Sequence, residues 1–231
     1  MKANVLWGRL DTTAVAGMAV FASLALVLAA VSQALGLNFP LVPYLQFDVG
    51  EVAILLAFFI FGPVPALAAS TVEFAGLMVF GQQIPIGPLL KLFSLFSTVF
   101  GLWVGAAIAS RAGWSGLGRL VGSSSGFGLA FRAAIMTIPN YYVLVFLGEL
   151  GYAESVAKIP FSWLGITLTN SNALAVILTF TAVFNVLQLL FVMAVTYSIL
   201  RVPSVSQLRV GGKTPWFAQL TRRGVPPGTP S

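Results

Sequence analysis

The sequence predicts an all-α membrane protein, a bundle of six transmembrane helices with both termini cytoplasmic. Three observations carry this prediction. Of 231 residues, 58% are hydrophobic and only 8% charged, whereas a soluble domain is about half apolar and about a quarter charged. Mean hydropathy is +0.96, and the apolar residues fall into repeated runs of about 20, the length that spans a bilayer. Basic residues collect in three places: Lys2 and Arg9 ahead of the first run, Arg111, Arg119 and Arg132 around one polar stretch, and Arg201, Arg209, Lys213, Arg222 and Arg223 after the last. A shared side for these three groups is the positive-inside pattern. The net charge of +6 therefore reports topology and a lipid bilayer as partner, and no nucleic acid is expected.

The first span covers residues 12–35. Its basic flank and Ser32-Gln33-Ala34 resemble a signal peptide, but the run exceeds the usual h-region and further spans follow, so it is expected to be retained. Its pairs of small residues, Thr13/Gly17, Ala19/Ser23 and Ala25/Ala29, permit close packing within the bundle or against another membrane subunit. Residues 36–47 carry Asn38, Pro40 and Pro43, which break the helix. A second run, 52–61, stops at Gly62-Pro63-Val64-Pro65, and a third covers 66–80, giving a helical hairpin on a tight Gly-Pro turn. Ten residues reach only ~15 Å as helix, so the second span is completed by starting at Asp48 and embedding 62–65.

After a break at 81–88 the fourth span covers 89–109. Residues 111–128 read as a Gly/Ser-rich loop, and the fifth span, 129–150, contains Pro139-Asn140. An amphipathic connection with Glu154, Lys158 and Trp163 leads to the sixth span, 173–200. Residues 1–201 thus form one transmembrane domain. Residues 202–231 form a Pro/Gly-rich cytoplasmic tail expected to be poorly ordered.

The chain has no Cys and no His, which removes thiolate nucleophiles, imidazole bases, haem and iron–sulfur ligation and most zinc or copper sites. No P-loop, GxSxG or HExxH occurs, so no catalytic residue, metal site or cofactor is expected, and an ATP-driven function needs another chain. Asp48-x-x-Glu51 heads the second span. It reads as a helix N-terminus, with Asp48 capping and Glu51 reaching back, and as a polar gate at the mouth of a cavity. Glu73 lies within the third span, where an ionisable group is a functional candidate or a structural partner of Lys91 or Arg132; Lys91 itself could snorkel outward. Asn140, and the pair Asn185 and Gln188 on one helix face, are either interhelical glue or the readers of a flat heteroaromatic ligand.

Together these segments resemble the substrate-binding S component of energy-coupling factor (ECF) vitamin transporters, riboflavin type. The matching stretches are Pro43-Tyr44-Leu45-Gln46-Phe47-Asp48, Phe61-Gly62-Pro63-Val64, Pro85-Ile86-Gly87-Pro88, Asn140-Tyr141, and Phe184-Asn185 followed by Gln188, in family order over residues 12–200. The resemblance implies six helices around an outward-facing pocket covered by the loop after the first helix, in a multi-pass protein of a prokaryotic cell membrane. It also implies a transmembrane T subunit and two ATPases as partners, with riboflavin or a related flat vitamin as transported ligand rather than cofactor. By motif it places Asn140, Asn185 and Gln188 at the ligand; Tyr44, Leu45, Asp48, Phe58 and Tyr141 are expected there too, and the small residues Ala19, Ser23, Ala25 and Ala29 of the first helix at the T subunit. Two positions depart from the family: Gln188 stands where Lys is usual and Ala53 where Pro is usual. The missing charged donor leaves the identity of the vitamin open.

Two other readings follow from the residues. An intramembrane enzyme would use Asp48, Glu51 and Glu73 as acid/base groups, which requires these carboxylates to converge although Glu73 reads as about half a bilayer deeper. A ligand-free assembly subunit would turn Asn140, Asn185 and Gln188 toward other helices and enclose no cavity.

Overall fold

The computed structural model describes residues 6–8, 10–42, 45–146, 172–206 and 209–221. Helices α1 (Thr12–Ala34), α2 (Gly50–Phe61), α3 (Pro63–Phe80), α4 (Ile86–Arg111), α5 (Leu117–Phe146) and α6 (Ala173–Leu200) are followed by short α7 (Pro203–Ser206) and α8 (Trp216–Thr221). Among the described residues, α1, α3, α4 and α6 are long and apolar enough to cross a membrane. The chain is a multi-pass membrane protein. The expected connection at 151–171, with Trp163, Glu154 and Lys158, lies outside the described residues.

The short second span has a physical explanation. α2 has 12 residues, about 18 Å of helix, and every side from Gly50 to Ile60 is buried. A helix apolar all round belongs in a core, and α2 is wrapped by α1, α3, α6 and α8. Gly50 allows this at the α1 contact, because a Cβ there would sit 2.5 Å from the Ala25 carbonyl oxygen. Ala25 and Ala29 are accordingly buried within the bundle. That corrects their assignment to a partner surface; Ala19 and Ser23 are exposed.

At Gly62 the chain reverses from α2 into α3 with φ 104° and ψ 180°, a left-handed φ that suits glycine. Pro63 then starts α3, where its missing N–H costs nothing.

The predicted loop at 111–128 is mostly helix. α5 begins at Leu117, leaving residues 112–116 as the turn. Gly and Ser are weak helix formers, so tertiary packing decides here. A Cβ on Gly101 would lie 2.6 Å from the Phe127 carbonyl oxygen and one on Gly105 2.5 Å from that of Ser123. The α4 and α5 backbones therefore touch through small residues. Ser123 donates to the Gly105 carbonyl at 2.9 Å and Ser125 to the Val121 carbonyl at 2.7 Å. Arg132, grouped by sequence with the loop charges, lies inside the bundle and is only 2% exposed.

The described part of the tail, residues 209–221, also differs from expectation. Trp216, Phe217 and Leu220 of α8 are buried, Trp216 meets Phe58 edge-on with centroids 5.1 Å apart, and Lys213 pairs with Asp11, the N-cap of α1, at 2.5 Å. Composition suggests a solvated tail, but the aromatic Trp216-Phe217 step fills the base of α2. This end of the bundle gathers the start of α1, the Gly62 turn and the tail. The loop between α1 and α2 lies at the other end.

Gly105→Val pushes a branched side chain into the α5 backbone, and overpacking of this kind costs about 1–3 kcal/mol. The expected result is a melting temperature several degrees lower in detergent, with an unchanged value marking the interface as slack. In this cysteine-free chain, a cysteine at the exposed Ser115 tests the orientation. An impermeant thiol reagent should fail to label it in intact cells if that end is cytoplasmic.

Candidate functional site

Opposite the tail, the described residues line a partly open cavity of about 150 Å³. Its rim is the loop after α1, through Leu45, Gln46 and Asp48; its walls come from Leu77 of α3, Met136 of α5 and Phe184 of α6. The floor is polar, formed by Glu51, Lys91, Ser94, Arg132, Asn140 and Asn185.

Helical spacing explains why these side chains meet. Lys91, Ser94 and Thr98 stand three and four apart on α4, and Arg132, Met136 and Asn140 four apart on α5, so each set forms one stripe. Arg132 grips Glu51 with both terminal nitrogens, at 2.6 and 3.0 Å, while its Nε donates to Asn185 Oδ1 at 3.1 Å and Nη1 to Thr98 at 3.4 Å. The fork geometry of guanidinium matches a carboxylate in this way. Glu51 does not reach back to cap α2, whose N-cap is Val49 with no side-chain bond; burial beside a cation outweighs an exposed capping bond.

Lys91 lies between two carboxylates, Glu73 at 2.5 Å and Asp48. It does not snorkel outward. Of the two expected partners of Glu73, Lys91 is the one it meets, and Asp48 joins the same ammonium. The carboxylates that read as half a bilayer apart thus converge, and every one of them is held by a cation.

The rim loop is fixed by polar side chains. Gln188 pairs twice with the backbone of Asp48: its Nε2 donates to the carbonyl at 2.7 Å and its Oε1 accepts the N–H at 3.3 Å. Gln46 donates to the Ser32 carbonyl at 2.9 Å, and Ser32 Oγ accepts from Val49 N–H at 3.0 Å. Asp48 Oδ1 accepts from Gly50 N–H at 2.6 Å, closing the turn into α2.

Of the sequence-derived site residues, Asn140, Asn185, Leu45 and Asp48 line the cavity. Asn140 and Asn185 also donate to carbonyls of their own helices, Met136 at 2.7 Å and Thr181 at 2.9 Å, so both serve packing as well. The structure gives Gln188 a different place from the one expected: it holds the loop from behind and does not face the cavity. Phe58 sits fully buried at the tail end, and Tyr141 is 44% exposed on the outer surface of the bundle. Tyr44 lies outside the described residues. Sequence reading missed Arg132 and Ser94 as site residues; the eight-residue spacing from Arg132 to Asn140, two steps of four on one helix face, was the available signal.

No protein-family model matches the chain, and no curated protein does. A solved structure, described as the S component of a bacterial ECF transporter, superposes with a TM-score of 0.54 at 20% identity, over 81% of this chain and 93% of that one. The likeness establishes the fold.

Arg132→Met leaves Glu51 as an uncompensated buried charge, a change worth about 3–5 kcal/mol of stability. The double variant Glu51→Gln, Arg132→Met should regain most of that loss. Thermal unfolding of both proteins checks it; equal melting temperatures would show that the pair is not coupled.

Proposed function

We propose that this chain is the substrate-binding subunit of an ECF-type vitamin uptake transporter. Six crossings, with α2 and α5 completing the four most apolar helices, put both termini in the cytoplasm and open the cavity to the outside. The observation that carries the reading is a polar-floored cavity in an S-component fold, rimmed by a loop that Gln188 and Lys91 hold through polar contacts and that packs Phe39 and Phe47 on Phe184. A ligand-free assembly subunit has no use for such a cavity. An enzyme is disfavoured because Asp48, Glu51 and Glu73 are each engaged by Lys91 or Arg132, leaving no carboxylate poised as a base.

The ligand is riboflavin or a related flat heteroaromatic vitamin, bound with one face on Phe184 and its polar edge toward Asn140 and Asn185. Cavity size favours the smaller members of this class, since pockets for drug-sized ligands run ≈ 300–1,000 Å³. ATP-driven import requires a T subunit and two ATPases, for which the exposed Ala19 and Ser23 on α1 offer a close-packing face.

Quenching of tryptophan fluorescence by added vitamin measures binding directly. Asn140→Ala should weaken it by roughly five- to 150-fold, because a lost hydrogen bond in a dry pocket costs about 1–3 kcal/mol. Undiminished affinity in both Asn140→Ala and Asn185→Ala would remove the cavity as the binding site.

A further inference from the structure

Charge is spread unevenly between the two ends of the bundle. At the tail end Arg111 closes α4, Arg119 lies in the first turn of α5, Arg201 follows α6, and Arg209 and Lys213 stand in the chain leading to α8. All five side chains are exposed. Among the described residues Asp11 is the one acid at this end, and Lys213 takes it. Asp48, Glu51 and Glu73 are bound up with Lys91 and Arg132 around the cavity. Arg111, Arg119, Arg201 and Arg209 make no ion pair among the described residues. Five cations against one acid leave this end four positive charges in surplus.

The fold draws these charges together. Gly118 approaches the Tyr197 hydroxyl so closely that a Cβ there would lie 3.5 Å from it, which brings the start of α5 to the end of α6. Arg201 lies over the Tyr197 ring at 5.7 Å, so Arg119 and Arg201 flank one seam. α8 packs on α2, α4 and α5, which holds the tail beneath the same helix ends. Two indoles stand among the cations, Trp7 46% and Trp114 45% exposed. Trp7 is stacked on Trp103 with centroids 4.4 Å apart, and Trp103 Nε1 donates to the Leu6 carbonyl at 3.0 Å. Indoles with one wet edge belong at the level of lipid headgroups, where apolar spans end. The arginines stand at those span ends too, within reach of phosphates in the adjoining leaflet.

We propose that the tail end of the bundle binds anionic phospholipid headgroups, gathered around the α4–α5 turn, the end of α6 and the tail. Guanidinium forks match phosphate oxygens in pairs, and a cluster of basic residues beside a membrane span attracts anionic lipid. The positive-inside pattern sets orientation during insertion and needs no lipid on the folded protein; a standing surplus beside fixed indoles does attract one. The surface is separate from the cavity and independent of what the cavity binds.

Thermal unfolding of the full chain tests this in nanodiscs of phosphatidylcholine, alone or mixed with phosphatidylglycerol. Phosphatidylglycerol should raise the melting temperature by several degrees, and salt at about 1 M, where screening acts within about 3 Å, should remove the gain. The combined variant Arg111→Gln, Arg119→Gln, Arg201→Gln, Arg209→Gln breaks no ion pair, so it should melt with the parent in phosphatidylcholine and lose the gain from phosphatidylglycerol. Lysine at the same four positions should keep most of it. If the combined variant does not fold, Arg119→Gln and Arg201→Gln singly should each give up part of the gain, and an undiminished gain in both overturns the proposal. Equal melting temperatures of the parent in the two lipids overturn it as well and leave the basic end to an acidic protein surface. A gain that survives in the combined glutamine variant places the lipid elsewhere on the chain and overturns this surface. A gain reproduced by inorganic phosphate in phosphatidylcholine discs overturns the lipid assignment in favour of a free anion.

Discussion

The bidentate pair between Arg132 and Glu51 is the interaction on which the rest of the site depends. Neither group would be stable alone in an apolar bundle, because stripping water from a single charge costs several kcal/mol. Together, with Asn185 and Thr98 satisfying further donors of the guanidinium, they allow a helix as polar as α5 to lie in the core. The pair joins α2, α5 and α6 at one depth, and a cavity with a hydrogen-bonding floor is what remains between them.

Nearer the rim, Lys91 has a related role. It ties the α1–α2 loop, through Asp48, to Glu73 in the middle of α3, while Gln188 holds the same residue's backbone from α6. A typical hydrogen bond contributes only about 0.5–1.5 kcal/mol net. The loop is thus fastened by several polar contacts of modest strength together with an apolar cluster in which Phe39, Val42 and Phe47 pack on Ile177 and Phe184 of α6. At the other end the fastening is of another kind: Trp216 against Phe58, glycines in backbone contact and a helix fully enclosed. One end of the bundle is joined by aromatic and backbone packing, and the other combines an aromatic cluster with buried ion pairs and side-chain hydrogen bonds.

Much of the architecture was legible in the chain. Apolar runs and Pro/Gly breaks located the helices because a membrane imposes length and composition on each segment separately. The Gly62-Pro63 turn needs only local φ preferences to be read. Asn140 and Asn185 stood out because an amide inside an apolar run is costly unless it has partners. By contrast, the helical identity of 117–128 was invisible, since glycine and serine discourage a helix locally and acquire it only when α4 lies against them. The docking of α8 depended likewise on a distant surface, the base of α2.

The sequence by itself determined that a membrane protein with scarce, deliberately placed charges would form, since hydropathy and charge are properties of single residues and short windows. Only the tertiary structure decided who pairs with whom. Glu73 took Lys91 rather than Arg132, Glu51 turned from its own helix end to Arg132, and Gln188 faced a loop 140 residues away instead of the cavity. Such choices depend on relative helix rotation and depth, which are set by packing among segments far apart in the chain.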